Sequence, residues 1–329
     1  MIISRTPTRV SFFGGGTDYP TWYVDNGGAV ISATINKYSY ITARKLPPFF
    51  KYRHRIRYYK QEETNTLDEI VHPSVRECAK FLSFEQGLEI VHNADLPSQS
   101  GLGSSSAFTV GMLNALYALQ KYMPTKQELA TNAIHVEQNL IKENVGSQDQ
   151  VAVAFGGFNH ITFSKNGTYN VNPIVISPTR LAELESNLLL CFTGFARNAS
   201  DVAKLQMSNF NKNRLKLLEM SNLTSYALNV LTDEKQNLDQ FGELLDHQWQ
   251  LKKGLAENVS NAEIDLIYQR AQKTGAMGGK LLGAGAGGFM LFFANPANHE
   301  RIKRELGEKL FVPFKFEFLG STIIYLDRE

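Results

Sequence analysis

Apolar and polar residues alternate over 1–13, "MIISRTPTRVSFF", and again over 29–45, "AVISATINKYSYITARK", as on half-buried strands. The glycine-rich "GGGTDYP" between them marks a turn. "KYRHRIRYYK" at 51–60 alternates strictly, which puts Lys51, Arg53, Arg55 and Arg57 on one face of a predicted strand and Tyr52, His54, Ile56 and Tyr58 on the other. The period then lengthens. Helices are predicted near 68–85, 104–123 and 126–143, the last opened by a Thr125 and Glu128 capping box. Short strands near 158–163 and 188–193 flank "SKNGTYNVNP", where a boundary between domains at 1–168 and 169–329 is expected. Helix dominates 200–272. A glycine-rich "GGKLLGAGAGGFMLFFA", a helix near 298–309 and a closing strand in "FKFEFLGSTIIYL" follow. The elements mix without a regular βαβ rhythm, so the fold class is α+β rather than a doubly wound sheet.

Length and charge narrow this picture little. A chain of 329 residues favours two domains, and 34 Lys and Arg against 32 Asp and Glu leave no global field to attract nucleic acid or a membrane surface. The two cysteines, Cys78 and Cys191, lie far apart in apolar stretches and suggest neither a disulfide framework nor a zinc site. No apolar leader and no run long enough to span a bilayer is evident, so a cytoplasmic location is expected. An oligomer is possible but nothing in the sequence indicates one.

The chemistry begins at "SGLGSSSAFTVGMLNALYAL", residues 100–119. Phe108, Met112, Ala115, Leu116 and Leu119 recur at helical spacing, so an amphipathic helix is predicted, and its first turn points unpaired N–H groups at whatever lies in front. Gly101 and Gly103 let backbone approach closely, and a phosphate is the favoured occupant. A plain serine N-cap is the alternative. No G-x-x-x-x-G-K-[ST] occurs, because Lys280 precedes Leu281. "GAGAGG" at 283–288 matches G-x-G-x-x-G, but with a helix-like segment before it and a strand after, the reverse of a dinucleotide site. It reads as a tight turn, or as a close approach to a ligand or to the first loop.

Two carboxylates stand out. On the predicted helix at 126–143, Leu129, Ala130, Ala133, Ile134, Val136, Leu140 and Ile141 share one arc, and Glu137 falls in its middle. A charge there needs either an Arg or Lys partner or, beside a polyphosphate, Mg²⁺. Asp149, in "NVGSQDQVAVAFGG", is either a stabilising acid in the first turn of a helix capped by Ser147 or a carboxylate that orients a reacting hydroxyl. Arg9 could hold it ionised, but spacing does not bring the two together.

Taken in order, "PTRVSFFGGGTDYP", "DLPSQSGLGSSSA" and "KLLGAGAGGF" resemble the three motifs of the GHMP kinase superfamily over essentially the whole chain. The resemblance implies an N-terminal domain like ribosomal protein S5 domain 2, a ferredoxin-like C-terminal domain, and ATP with Mg²⁺ between them. Carried over by position, it implies cofactor binding by Ser100, Gly101, Leu102, Gly103, Ser104, Ser105 and Ser106. It likewise implies metal binding by Ser105 and Glu137, and catalysis by Asp149 assisted by Arg9.

"TDY" is similar to the sugar kinases of that family, which implies substrate binding at Gly15, Gly16, Thr17 and Asp18, with Gly285 of the third motif beside it. Galactokinases carry a sugar-binding glutamate where this chain has Gly15, so space opens there. The stretches "IRYYKQEE", "DEIVHPSVRE" and "FTGFARNAS" resemble the branch that acts on phosphorylated heptoses. That implies a sugar phosphate and ATP as small-molecule partners, with transfer to the anomeric hydroxyl of a heptose 7-phosphate for surface polysaccharide precursors. An anionic tail needs cations, and Arg197 or an Arg of 51–57 is expected to supply them. The 51–57 face could equally be a solvated edge or meet RNA or an acidic subunit. Other sugar 1-kinases, fucokinase- or galactokinase-like, and a catalytically silent sugar-phosphate sensor are the alternatives.

Overall fold

The computed structural model describes residues 1–194 and 199–327. It opens with β1 (Ile2–Phe13), α1 (Pro20–Asn26) and β2 (Gly28–Lys45), the two strands running antiparallel from Ile2↔Ala43 to Phe13↔Ile31. β3 (His54–Arg57) and β4 (Gln61–Thr64) form a hairpin, α2 (Pro73–Phe81) follows, and β5 (Leu88–Ala94) slots between β2 and β3. Then come α3 (Ser104–Leu119), α4 (Lys126–His135), a π-helical turn at Val136–Leu140, α5 (Gln148–Phe155), β6 (Phe158–Phe163) and β7 (Tyr169–Pro173). β6 pairs with both β2 and β7.

The second half continues with α6 (Pro178–Asn187), β8 (Leu188–Phe192), α7 (Ala199–Ser208), α8 (Arg214–Thr232), α9 (Asp239–Lys253) and α10 (Ala262–Lys273). It ends with β9 (Ala276–Leu281), β10 (Phe289–Ala294), α11 (Pro296–Leu306), β11 (Leu310–Phe311) and β12 (Thr322–Leu326). Its sheet order, β11-β8-β10-β9, with helices between β8 and β9 and between β10 and β11, is ferredoxin-like. The α+β expectation holds, and antiparallel pairing dominates both sheets.

A division at 168 does not follow the sheets. It would separate β6 from β7, which pair from Asn159↔Pro173 to Phe163↔Tyr169, so the first sheet runs on to Pro173. The chain then returns to it, because β12 pairs with β1. The glycine and asparagine of "SKNGTYNVNP" signal a hairpin turn rather than a boundary, and Gly167 takes a positive φ of 84° in it.

Several elements are shorter than the periodicity predicts. The strand at 51–60 shrinks to β3, the helix at 68–85 to α2, which starts at Pro73 because proline's fixed φ suits a first helical position, and the helix at 126–143 to α4 with its π turn. Thr125 does accept from the Glu128 N–H. The expected amphipathic helix at the serine run is buried on nearly every side from Ser106 to Tyr117. It lies between the first sheet and α2, α4 and α5. Its polar residues meet partners there rather than water: Asn114 Nδ2 donates to Ser321 Oγ, and Ser4 Oγ donates to the Gly111 carbonyl.

The two layers share a core. Val10, Phe12, Phe13 and Ile31 of the first sheet pack with Leu190, Phe241, Phe289 and Phe293 of the second half. Phe13 meets Phe241 edge to face at 5.1 Å. Each such side chain contributes ~1.5–3 kcal/mol by leaving water. The strand that carries Arg9 is therefore fixed on both flanks, which holds the base of the site in place. Among the described residues no helix is long and apolar enough to cross a membrane.

Candidate active site

Where the layers meet, a cavity of about 750 Å³ opens between β1, the α3 entrance, the 143–149 turn, α7, α9 and the glycine loop after β9. Arg9, 3 % exposed, reaches its floor from β1. Its Nε and Nη2 donate to Asp149 Oδ1 and Oδ2 at 2.8 and 2.7 Å, and its Nη1 donates to the Gly101 carbonyl at 2.7 Å. This fork fixes the carboxylate's plane. Ser147 precedes α5 without a side-chain cap bond, so Asp149 is oriented by Arg9 rather than by a capped helix end.

The helix entrance is bare. Gly103, at φ +71°, is the N-cap of α3 and offers no side chain, so the N–H groups of Ser104, Ser105 and Ser106 have no partner within the helix. A Cβ on Gly103 would stand 3.2 Å from Arg9 Cγ and 3.4 Å from Asp149 Oδ2. The glycine thus keeps the cradle next to the ion pair. Gly101, Gly103, Ser104, Ser105 and Ser106 line the cavity. Ser100 and Leu102 are fully buried behind it, and the Leu102 carbonyl accepts from the Arg9 N–H.

Glu137 is 1 % exposed on the π turn, whose Ile141 N–H reaches back to the Val136 carbonyl. Its Oε2 accepts from Ser106 Oγ at 2.9 Å and from Gln150 Nε2, while Oε1 has no partner. Burial pushes its pKa up to about 7. The partners are a hydroxyl and an amide, so the structural Arg or Lys partner weighed for Glu137 is not what it meets. The hydroxyl bonded to Glu137 is that of Ser106, which sequence reasoning placed in the phosphate cradle alone, and Ser105 lines the cavity beside it.

Asp18, 2 % exposed, accepts from the Gly16 N–H at 2.9 Å through Oδ1, and its backbone carbonyl accepts from the Ser147 N–H. Burial and the neighbouring Asp149 raise its pKa. Gly15, Gly16 and Asp18 line the cavity; Thr17 does not. Its hydroxyl donates to the Gly14 carbonyl at 2.8 Å, which closes the turn, so Thr17 shapes the wall from behind. Gly285 likewise sits off the cavity, where a Cβ would strike the Val259 carbonyl at 2.8 Å, and Gly283 and Ala284 line the wall in its place.

The second glycine loop joins two strands, β9 and β10, rather than following a helix. The rejection of a dinucleotide site stands. The approach to the first loop is real: a Cβ on Gly283 would lie 2.5 Å from Gly101 Cα, and one on Gly288 would lie 2.3 Å from the Ser100 carbonyl oxygen. Arg197 lies outside the described residues. Of the basic face, none of Lys51, Arg53, Arg55 and Arg57 lines this cavity. Arg55 pairs with Glu89, as does Arg44, and Arg53 donates to the Glu85 carbonyl.

Sequence reasoning missed two cations. Lys252 of α9 and Lys280 of β9 are buried on the cavity wall. Lys252 Nζ donates to the Leu281 and Gly283 carbonyls at 2.8 and 2.5 Å, and Lys280 Nζ to those of Ser11 and Phe12 at 2.8 and 3.0 Å. Burial takes Lys252 down to about 7 and Lys280 well below its ordinary value. Lys280 opens the third motif, "KLLGAGAGGF", but no role attached to it there, and Lys252 in "QLKKGL" reads as an ordinary basic position. At the other end of the cavity, His72 stacks on Phe108 at 4.4 Å and His92 meets the same ring edge-on at 4.8 Å. Burial lowers both histidines, His92 to about 4, so they are neutral near pH 7.

A dipole-positive helix entrance beside a buried carboxylate and an Arg-held Asp, in one cleft with a second acid, is the constellation of a phosphotransferase that acts on a hydroxyl. The comparisons agree. The model of the GHMP kinases N terminal domain matches residues 70–157 and that of the GHMP kinases C terminal domain matches 227–312. The chain is 30% identical over 93% of its length, and 93% of the other's, to D-glycero-alpha-D-manno-heptose 7-phosphate kinase of Campylobacter jejuni. A D-glycero-D-manno-heptose 1-phosphate kinase structure from Bacteroides thetaiotaomicron superposes with a TM-score of 0.74 at 26% identity, over 99% of this chain and 100% of that one. Lactococcus lactis galactokinase shares the fold, at 0.77 and 20% identity over 98% and 94% of the two chains. The chain belongs to the GHMP kinase family, and within it is an ATP-dependent sugar kinase.

Proposed function

We propose that the protein transfers the γ-phosphoryl group of ATP to the anomeric hydroxyl of D-glycero-D-manno-heptose 7-phosphate, giving the 1,7-bisphosphate. The observation that carries this reading is the Arg9–Asp149 fork lying against Gly103 of the helix entrance, with Asp18 beside the turn that leads into Asp149. The α3 N–H groups and helix dipole cradle the phosphates. The neutral rings of His72, His92 and Phe108 form the flat wall for the nucleobase. The orphaned Glu137 Oε1 beside Ser106, with Ser105 on the wall, suits a divalent cation. Mg²⁺ held by Glu137 and these serines would neutralise charge on the phosphate oxygens when bound.

Asp18 accepts from sugar hydroxyls. Asp149 accepts from the anomeric O–H and turns its lone pair toward phosphorus, and Arg9 holds the carboxylate in that plane. A loose phosphoryl-transfer transition state asks for this positioning more than for full proton abstraction. Gly15 leaves room for a longer acceptor than a hexose, since a Cβ there would meet nothing nearer than 3.7 Å.

The names of the two relatives differ over which phosphate the sugar already carries. The experiment is therefore ADP release measured with heptose 7-phosphate, heptose 1-phosphate, free heptose, fucose and galactose, with phosphorus NMR of each product. Turnover highest on heptose 7-phosphate with a new anomeric phosphate supports the reading. Equal use of galactose or fucose would refute this specificity and leave the kinase.

A further inference from the structure

Lys252 and Lys280 are used by nothing in the mechanism above. Both ammonium groups are buried, and their hydrogen-bond partners are backbone carbonyls rather than carboxylates. Each ammonium has three donors and two of them go to these carbonyls. Asp18 is the carboxylate whose charge acts on both, so two buried ammonium groups share one acid; that imbalance is costly, and an incoming anion offsets it. The walls beside them are built to receive something polar. Ser11 Oγ and Gln148 Oε1 are buried without partners, and Gly15 stands next to both, at 3.8 Å from Ser11 Oγ and 3.7 Å from Gln148 Nε2 for a built Cβ.

We propose that Lys252 and Lys280 form an anion subsite that takes a phosphate monoester carried by the sugar acceptor. The proposal rests on the reading that the acceptor enters over Gly15 and Gly16. A phosphate monoester reaches this cavity from two sources, the acceptor and the nucleotide tail. The nucleotide tail has its own donors at the α3 entrance, whereas Lys280 Nζ is held by the Ser11 and Phe12 carbonyls, on the strand that leads into Gly15 and Gly16. Their lowered affinity for protons fits a site whose counter-ion arrives with the ligand.

The test is calorimetric binding of three probes: heptose 7-phosphate, unphosphorylated heptose, and a non-hydrolysable ATP analogue with Mg²⁺. These are measured on the wild-type chain, Lys252→Met, Lys252→Gln, Lys280→Met and Lys252→Arg, with a thermal melt on each to establish folding. The wild type is expected to prefer the phosphorylated sugar by at least roughly tenfold, as charge-assisted hydrogen bonds do. The Met and Gln variants should lose most of that preference while the ATP analogue binds within about threefold of wild type, and Lys252→Arg should keep it. Folded Met and Gln variants that retain the preference overturn the subsite and leave the acceptor reading intact. Variants that lose the ATP analogue but keep the sugar preference overturn it too, by assigning the cations to the nucleotide. A wild type with no preference overturns the subsite and the acceptor reading together.

Discussion

Arg9 on β1 and Asp149 in the first turn of α5 form a two-point fork, Nε to Oδ1 and Nη2 to Oδ2. Asp149→Asn keeps the size and one acceptor but ends the charge pairing. We expect kcat to fall by roughly 10²–10⁴-fold with KM for ATP little changed. Because buried Arg9 keeps the Gly101 carbonyl, the melting temperature should fall only by what the loss of about 1–3 kcal/mol produces. Turnover within a fewfold of wild type, in a steady-state assay well below the melting temperature, would falsify the assignment.

Glu137 carries a pH signature. Its pKa rises from 4.5 to about 7 on folding, so the folded state holds the proton more tightly than the unfolded chain. The associated stability is fully present below 4.5 and is lost as pH climbs through about 7, at no more than about 1.4 kcal/mol per pH unit. Without divalent cations, melts of the wild type should therefore decline across that window relative to Glu137→Gln, which cannot ionise. Adding Mg²⁺ and nucleotide should stabilise the wild type at the alkaline end and the variant much less. Parallel melting curves across the window would mean that the carboxyl is not held protonated.

Gly15→Glu puts a carboxylate into the acceptor space without disturbing the fold, since its Cβ position is open and its φ is not in the left-handed region. We expect kcat/KM for a phosphorylated sugar to drop by at least about tenfold through charge repulsion, with the melt unchanged. Gly14→Ala is the contrast. Its Cβ would fall 1.8 Å from the Ala29 carbonyl oxygen at φ +78°, and the expected result is poor folding. An unimpaired Gly15→Glu enzyme would place the acceptor's tail elsewhere.

Gly283→Ala tests the contact between the two glycine loops. The added carbon would sit 2.5 Å from Gly101 Cα at a φ of +71°, so the loops must part. A cost of about 1–3 kcal/mol is expected, together with weaker nucleotide binding, because Gly101 is also where Arg9 Nη1 is anchored. Equilibrium unfolding and a nucleotide titration on the same preparation check both halves, and a wild-type titration would show that the contact does not shape the cradle.

What the sequence revealed follows a physical pattern. The α3 entrance and Glu137 were legible because glycine pairs and an acid in an apolar arc are local signals. The Arg9–Asp149 pairing was legible through the family motifs and not through spacing, since nothing in either neighbourhood reports on the other. Ser106, Thr109 and Asn114 disguised the all-round burial of α3, because each polar group finds a partner inside the protein. Lys252 and Lys280 were hidden for the opposite reason: a lysine is read as surface until a fold buries it. The break of the 126–143 helix into a π turn depends on widening one hydrogen bond, which residue periodicity does not encode.

The pairing of β12 with β1 has a kinetic consequence. Ile2 sits opposite Leu326, so the outer edge of the first sheet is closed by residues from the far end of the chain. During synthesis that edge, with its row of unpaired N–H and C=O groups, stays open until β12 has been made. The loop-closure entropy of so distant a contact delays it further, which makes the completed sheet a late product of folding. The strand that bears Arg9 is thus made long before β12, and in that interval its outer edge is an exposed template for pairing with another molecule.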